Sequence, residues 1–295
     1  MPLKSIYLLP HGGVIIPGLE PDRDDTEERK AKADRLLMKM EEIGQEFKED
    51  NIDIIFLTSP HGYLHPNAVQ VAFNSIFEAW QYYHKDGRVE QMLFPGHSQL
   101  AQIFFELLLQ KQINTQPLIF ADTSFPLKIA WGEAIPLQFL SSAEEGPQVV
   151  LFSLPLSAGT NGETDVLDKV ADTFLELCDA PLLDDFNVSL VVSGDLSHKH
   201  DANHEYGYSK NADLFDEKSV AWMKAPDRQK YDELLELHET AASCGIFGMG
   251  VIQRLMEHLE PRGWTNHGVT YALPTYFGMS VASWKGNGKI QENNE

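Results

Sequence analysis

KSIYLLPHGG at residues 4–13 and IDIIFLTSPHG at residues 52–62 end in the same way, with an apolar run, a proline, a histidine and a glycine. Each run has the length and β-branched or aromatic content of a buried strand, and proline stops a strand because it lacks the backbone N–H donor. Between them, from residue 26 to about 49, Leu36, Met40, Ile43 and Phe47 recur at the three-and-four spacing of one helix face, with Glu and Lys on the other. Asp25 or Thr26 can cap the start of that helix. Strand, helix, strand with short connections is the βαβ unit of a parallel sheet, so both runs should end on the same sheet edge. Ligands of such sheets bind beyond the carboxyl ends of the strands. His11 and His61, delivered there from neighbouring strands, can converge on one point.

The pattern repeats downstream. AVQVAF (68–73) reads as a strand, Ser98 to Lys111 as a helix, and VVLFSL (149–154), Thr164 to Cys178 and VSLVVS (188–193) as strand, helix, strand. Helical spacing resumes over Ser209–Met223, Arg228–His238 and Gly245–His258, and TYFGMSVASW supplies a last strand. Residues 121–147 read as an irregular loop over the site. The expected fold is α/β: a mostly parallel central sheet flanked by helices, one domain over residues 1–284, then a polar tail at 285–295.

Composition narrows the function. A net charge of −21 argues against nucleic acid and against an anionic membrane surface, both of which are held mainly by Lys and Arg. No apolar run approaches the roughly 18 residues that span a bilayer, and the N-terminal run stops at Pro10, too early for a signal-peptide core. The two cysteines, Cys178 and Cys244, form no CxxC pair. A cytoplasmic protein is expected.

A third histidine cluster, SGDLSHKH (193–200), also follows a buried run and reaches the same edge. His198 there can move protons, since an unperturbed imidazole titrates near pH 6.5. Asp195 can orient such a ring. His200 reads first as a solvated loop residue, although His198 and His200 would share one face if extended and could hold a hydrolytic zinc. A transition metal held by His11 and His61 needs a third, anionic ligand. Glu239 lies in ETAASCG (239–245), where spacing alone leaves it a solvated helix glutamate. Cys244 is a soft donor suited to zinc or copper, and His65 lies four residues after His61; both are more often structural.

Taken in order, the first PHG, the SPHG about fifty residues later, SGDLSH, ETAASCG and the closing PTYFGMSVA resemble the catalytic chain of the class III (LigB-type) extradiol ring-cleavage dioxygenases over nearly the whole sequence. The resemblance implies Fe(II) held by His11, His61 and Glu239, with His198 as acid/base; zinc, manganese or copper are the other metals a purified sample could carry. It implies opening of a catechol- or aminophenol-type ring by O2, and a homo-oligomer or a second subunit as partner. Memo-like proteins of the same superfamily are similar in the DLSH-like segment; they use a late cysteine as metal ligand, the position that Cys244 occupies here. That likeness implies metal-binding or redox chemistry without ring cleavage.

Overall fold

The computed structural model describes residues 1–20, 25–83, 88–141, 146–158 and 165–286. Residues 287–295, most of the expected polar tail, and Thr164, the expected start of a helix, lie outside them. Eleven strands and seven α-helices are described. β1 (Leu3–Leu9), α1 (Glu27–Glu49) and β2 (Ile54–Thr58) form the expected βαβ unit, and Thr26 caps α1 by accepting the Arg29 N–H. β3 (Val69–Ala72) and a hairpin of β4 (Ile76–Tyr83) and β5 (Arg88–Pro95) follow. Then come α2 (Ser98–Gln110), β6 (Thr115–Leu118), β7 (Leu127–Lys128), α3 (Trp131–Leu140) and β8 (Gln148–Ser153). The chain closes with α4 (Asp165–Cys178), β9 (Val188–Ser193), α5 (Asn211–Lys224), α6 (Arg228–Ala241), α7 (Ile246–Leu259), β10 (Trp264–Ala272) and β11 (Met279–Gly286).

Eight strands make one sheet in the order β10-β11-β1-β9-β2-β8-β3-β6. Its centre, β1-β9-β2-β8, is parallel, and β11 and β3 add antiparallel partners on either side. The sequence placed β1 and β2 side by side; instead β9 lies between them, so the two Pro-His-Gly turns flank the SGDLSH turn.

Side-chain alternation divides the interior. Ile6, Leu8, Phe56, Leu190 and Val192 point into a core with α2 and α4–α7. Tyr7, Leu9, Ile55, Leu57 and Val191 point into a second core with α1 and α3. A strand covered on both faces must be apolar at every position, which is why β1, β2 and β9 read as unbroken runs.

One further expectation needed correction. Residues 121–147 are not one irregular loop, because β7 and α3 lie within them; β7 joins β4 and β5 in a small separate sheet. Pro136 lies inside α3 and hides its helical pattern from a reading that treats proline as a stop. β4, β5, β6 and β10 have no counterpart in the sequence pattern; of β10 only the two ends are fully buried.

α3 lies close on α1: a Cβ at Gly44 would collide with the Phe139 carbonyl oxygen. Backbone cannot give way as a side-chain tip can. Gly44→Ala should therefore lower stability by about 1–3 kcal/mol, read as a fall in the denaturant midpoint with an unchanged slope.

Candidate metal centre

The carboxyl ends of β1, β2 and β9 deliver the site. His11 follows β1 by two residues, His61 follows β2 by three, and Ser193 ends β9. The His11 and His61 rings meet edge to face, centroids 4.6 Å apart. Gly62 holds φ +78°, a conformation that favours glycine, and this lets the chain turn directly after His61.

His11 is buried and tightly held. Its backbone N–H donates to Asp195 Oδ1 (3.2 Å) and its Nδ1 lies 2.8 Å from Ser193 Oγ. The Ser193 hydroxyl donates in turn to the Gly132 carbonyl. That carbonyl is available because Pro136, four residues on in α3, has no N–H to give it. Having used its only proton, Ser193 Oγ must accept from His11, so Nδ1 carries the hydrogen and Nε2 keeps its lone pair. Nε2 faces Asp195 Oδ2 at 3.3 Å and Cys244 Sγ at 3.6 Å.

One ligand atom each from His11, His61 and Cys244 fall within 4.8 Å of one another, a donor set that could hold a transition metal. Burial, and then repulsion by His61 and His198, push the His11 pKa well down; burial also lowers those of His61 and His198. Neutral imidazoles are the form that ligates. Burial likewise raises the Cys244 thiol and pushes the Asp195 carboxyl up to about 8. A bound cation would oppose both shifts.

Cys244 reaches this position through the end of α6. The helix closes in a left-handed residue, Ala242 (φ 55°), and the chain turns back so that the Asp195 carbonyl accepts from the Gly245 N–H (3.0 Å) and the Ser243 hydroxyl (3.3 Å). The Asp195 N–H points at Cys244 Sγ (3.3 Å). A Cβ on Gly194 would come 2.5 Å from Gly245 Cα, so this close crossing requires glycine.

Glu239, expected as the carboxylate ligand, is placed elsewhere. It sits on the exposed face of α6, before the left-handed turn, and takes no part in the ligand group. Beyond the turn, Cys244 is the residue of this segment that lies against His11. His65 is also not brought in: its Nδ1 accepts the Asn67 N–H. Nor do His198 and His200 form a zinc pair, because both nitrogens of His200 are engaged, Nε2 with Asp216 (2.9 Å) and Nδ1 with Asp213 (3.2 Å).

His198 borders a cleft of 470 Å³ together with His11, His61, Trp131, Tyr206 and Phe277. Its ring stacks on Phe277 (5.3 Å between centroids), and Nδ1 lies 3.2 Å from the Leu196 carbonyl. With Nδ1–H donating there, Nε2 is the basic atom. Trp131 packs on His61 at 4.8 Å. Trp131, Ser193, Tyr206 and Phe277 were not singled out from the sequence. PTYFGMSVA held a signal for Phe277, and SGDLSH for Ser193; Trp131 was hidden with α3.

The sequence profile described as the catalytic LigB subunit of aromatic ring-opening dioxygenase matches residues 5–256. No curated protein matches the chain.

Ser193→Ala should leave the fold intact and weaken metal binding about 10–100-fold, as loss of a ligand-orienting partner does; metal titration checks this. His200 gives a second test. Burial opposes its charge, but the carboxylates of Asp216 and Asp213 outweigh burial and raise its pKa above 6.5. A raised folded pKa contributes stability that is complete below about 6.5 and is lost as the pH climbs through the folded value. His200→Gln should therefore cost most near about pH 5.5 and least near about pH 8.5, measured as the difference in denaturant midpoint from wild type.

Proposed function

Since this chain belongs to the family of catalytic LigB subunits of aromatic ring-opening dioxygenases, we propose that it opens a catechol- or aminophenol-type ring by the extradiol route, at a metal held by His11, His61 and Cys244. The observation that carries the reading is the juxtaposition of a His-His-thiol group with a cleft walled by aromatic side chains and bordered by His198. Fe(II) is the metal to test first. Such a metal, when bound, supplies a template and Lewis acid that holds a ring hydroxyl and O2 together.

The remaining work falls to the side chains. Tyr206, exposed at the cleft, offers a flat face to a substrate ring, where aromatic pairs prefer offset or edge-on contact, and Phe277 backs the His198 ring. His198 Nε2 takes the proton from a substrate hydroxyl as it ionises and returns it to oxygen later. Its lowered pKa keeps it unprotonated before substrate arrives. Ser193 holds His11 in the ligating tautomer, and Trp131 covers the outer side of His61.

One observation favours a second reading. A thiol stands where a carboxylate was expected, and soft thiolate selects copper(I) or zinc as readily as iron. A metal-binding redox protein without ring cleavage would use the same three ligands and leave His198 without a catalytic role.

Reconstitution with Fe(II) under anaerobic conditions, followed by a panel of catechols and aminophenols with O2, separates the two. Ring cleavage predicts O2 uptake with yellow ring-opened product. His198→Ala should keep the metal and lose about 10²–10⁴-fold in turnover. Cys244→Ala should lose the metal, and Glu239→Ala should lose neither. Silence on every ring with the metal demonstrably bound would favour the second reading; metal loss in Glu239→Ala would overturn the ligand assignment.

A further inference from the structure

A second cavity meets the metal position from another side. It measures 180 Å³ and is lined by Leu64, Leu154, Pro155, Leu156, Phe247 and Cys244, with Ser59, Ser193 and Ser243 at its inner end. It shares no lining residue with the His198 cleft: His11 and His61 border the cleft, Cys244 the cavity. The three-ligand group is thus the partition between two compartments.

Their linings differ in kind. The cleft carries Glu20, Asp195, Glu205 and histidines among its aromatic side chains, groups that hold water. The cavity wall is largely apolar; of its four hydroxyl residues, Thr58, Ser59, Ser193 and Ser243, the three serines are engaged around it: Ser193 donates to the Gly132 carbonyl, Ser243 to the Asp195 carbonyl, and Ser59 accepts the His61 N–H. Water needs several polar partners to occupy such a space, whereas small apolar molecules do not. Leu156, in its wall, is half exposed.

We infer that this cavity is the dioxygen compartment of the site: O2 reaches the metal position along the Leu64–Leu154–Phe247 wall while the aromatic substrate occupies the His198 cleft. The inference rests on the ring-opening reading for its choice of gas. A substrate ring filling the cleft would block the route past Trp131 and Tyr206, and an apolar gas partitions into an apolar cavity.

Xenon, an apolar probe of the same behaviour, tests the compartment without metal or substrate. Crystals pressurised with xenon should show it between Leu64, Leu154 and Phe247 and not in the His198 cleft; its absence from that cavity would overturn the inference. Leu64→Trp and Phe247→Trp, which narrow the space from two sides, should raise the KM for O2 about tenfold while leaving the KM for the ring and kcat within about twofold. An unchanged KM for O2 in both variants would overturn it. If the wild-type protein consumed no O2 with any ring, the ring-opening reading would fail on its own. The compartment would then be judged by the rate at which O2 oxidises the Fe(II)-loaded protein: slowed in both variants if the cavity is the route, unchanged if it is not.

Discussion

The orientation of the His11 ring depends on a carbonyl that helix geometry leaves without a donor. Pro136 cannot supply an N–H to Gly132, so the Gly132 oxygen takes the Ser193 proton, and Ser193 must then accept from His11 Nδ1. A defect in one helix thereby determines which nitrogen of a buried histidine is available for ligation. Buried polar groups are expensive to leave unpaired, so the chain from Pro136 to His11 is satisfied as a unit or not at all. It also couples α3 to β1 and β9, the elements that carry Trp131, His11 and Ser193.

Strand order does the rest. Because β9 lies between β1 and β2, its turn passes beneath both histidines, and Asp195 reaches His11 through its backbone and its ring at once. The close crossing of Gly194 over Gly245 then brings the start of α7 against that turn, and Cys244 arrives beside His11 Nε2. Four segments distant in sequence meet within a few ångströms, and two glycines without side chains make the meeting possible.

What could be read in advance followed local rules. Apolar runs ended by proline gave β1 and β2, three-and-four spacing gave α1 within a residue of its observed start, and the recurrence of Pro-His-Gly at two strand ends singled out His11 and His61. What could not be read depended on long-range or end effects. Nothing local says that β9 will insert between β1 and β2. Glu239 lies on α6 and Cys244 five residues later, beyond the left-handed Ala242 that ends the helix; spacing left Glu239 on a solvated face and the dioxygenase resemblance alone raised it to a ligand, while only the Memo-like resemblance pointed to Cys244. Pro136 obscured α3, and with it Trp131. The element that misled the helix reading is the one that orients the site.

In the proposed metal group the Cys244 thiolate stands beside the imidazoles of His11 and His61. X-ray absorption at the edge of the metal in the reconstituted protein tests it most directly. One sulfur scatterer is expected at roughly 2.3 Å, as thiolate–metal bonds have, beside nitrogen ligands, with the sulfur shell gone in Cys244→Ser. A coordination shell of nitrogen and oxygen alone in the wild-type protein would contradict it.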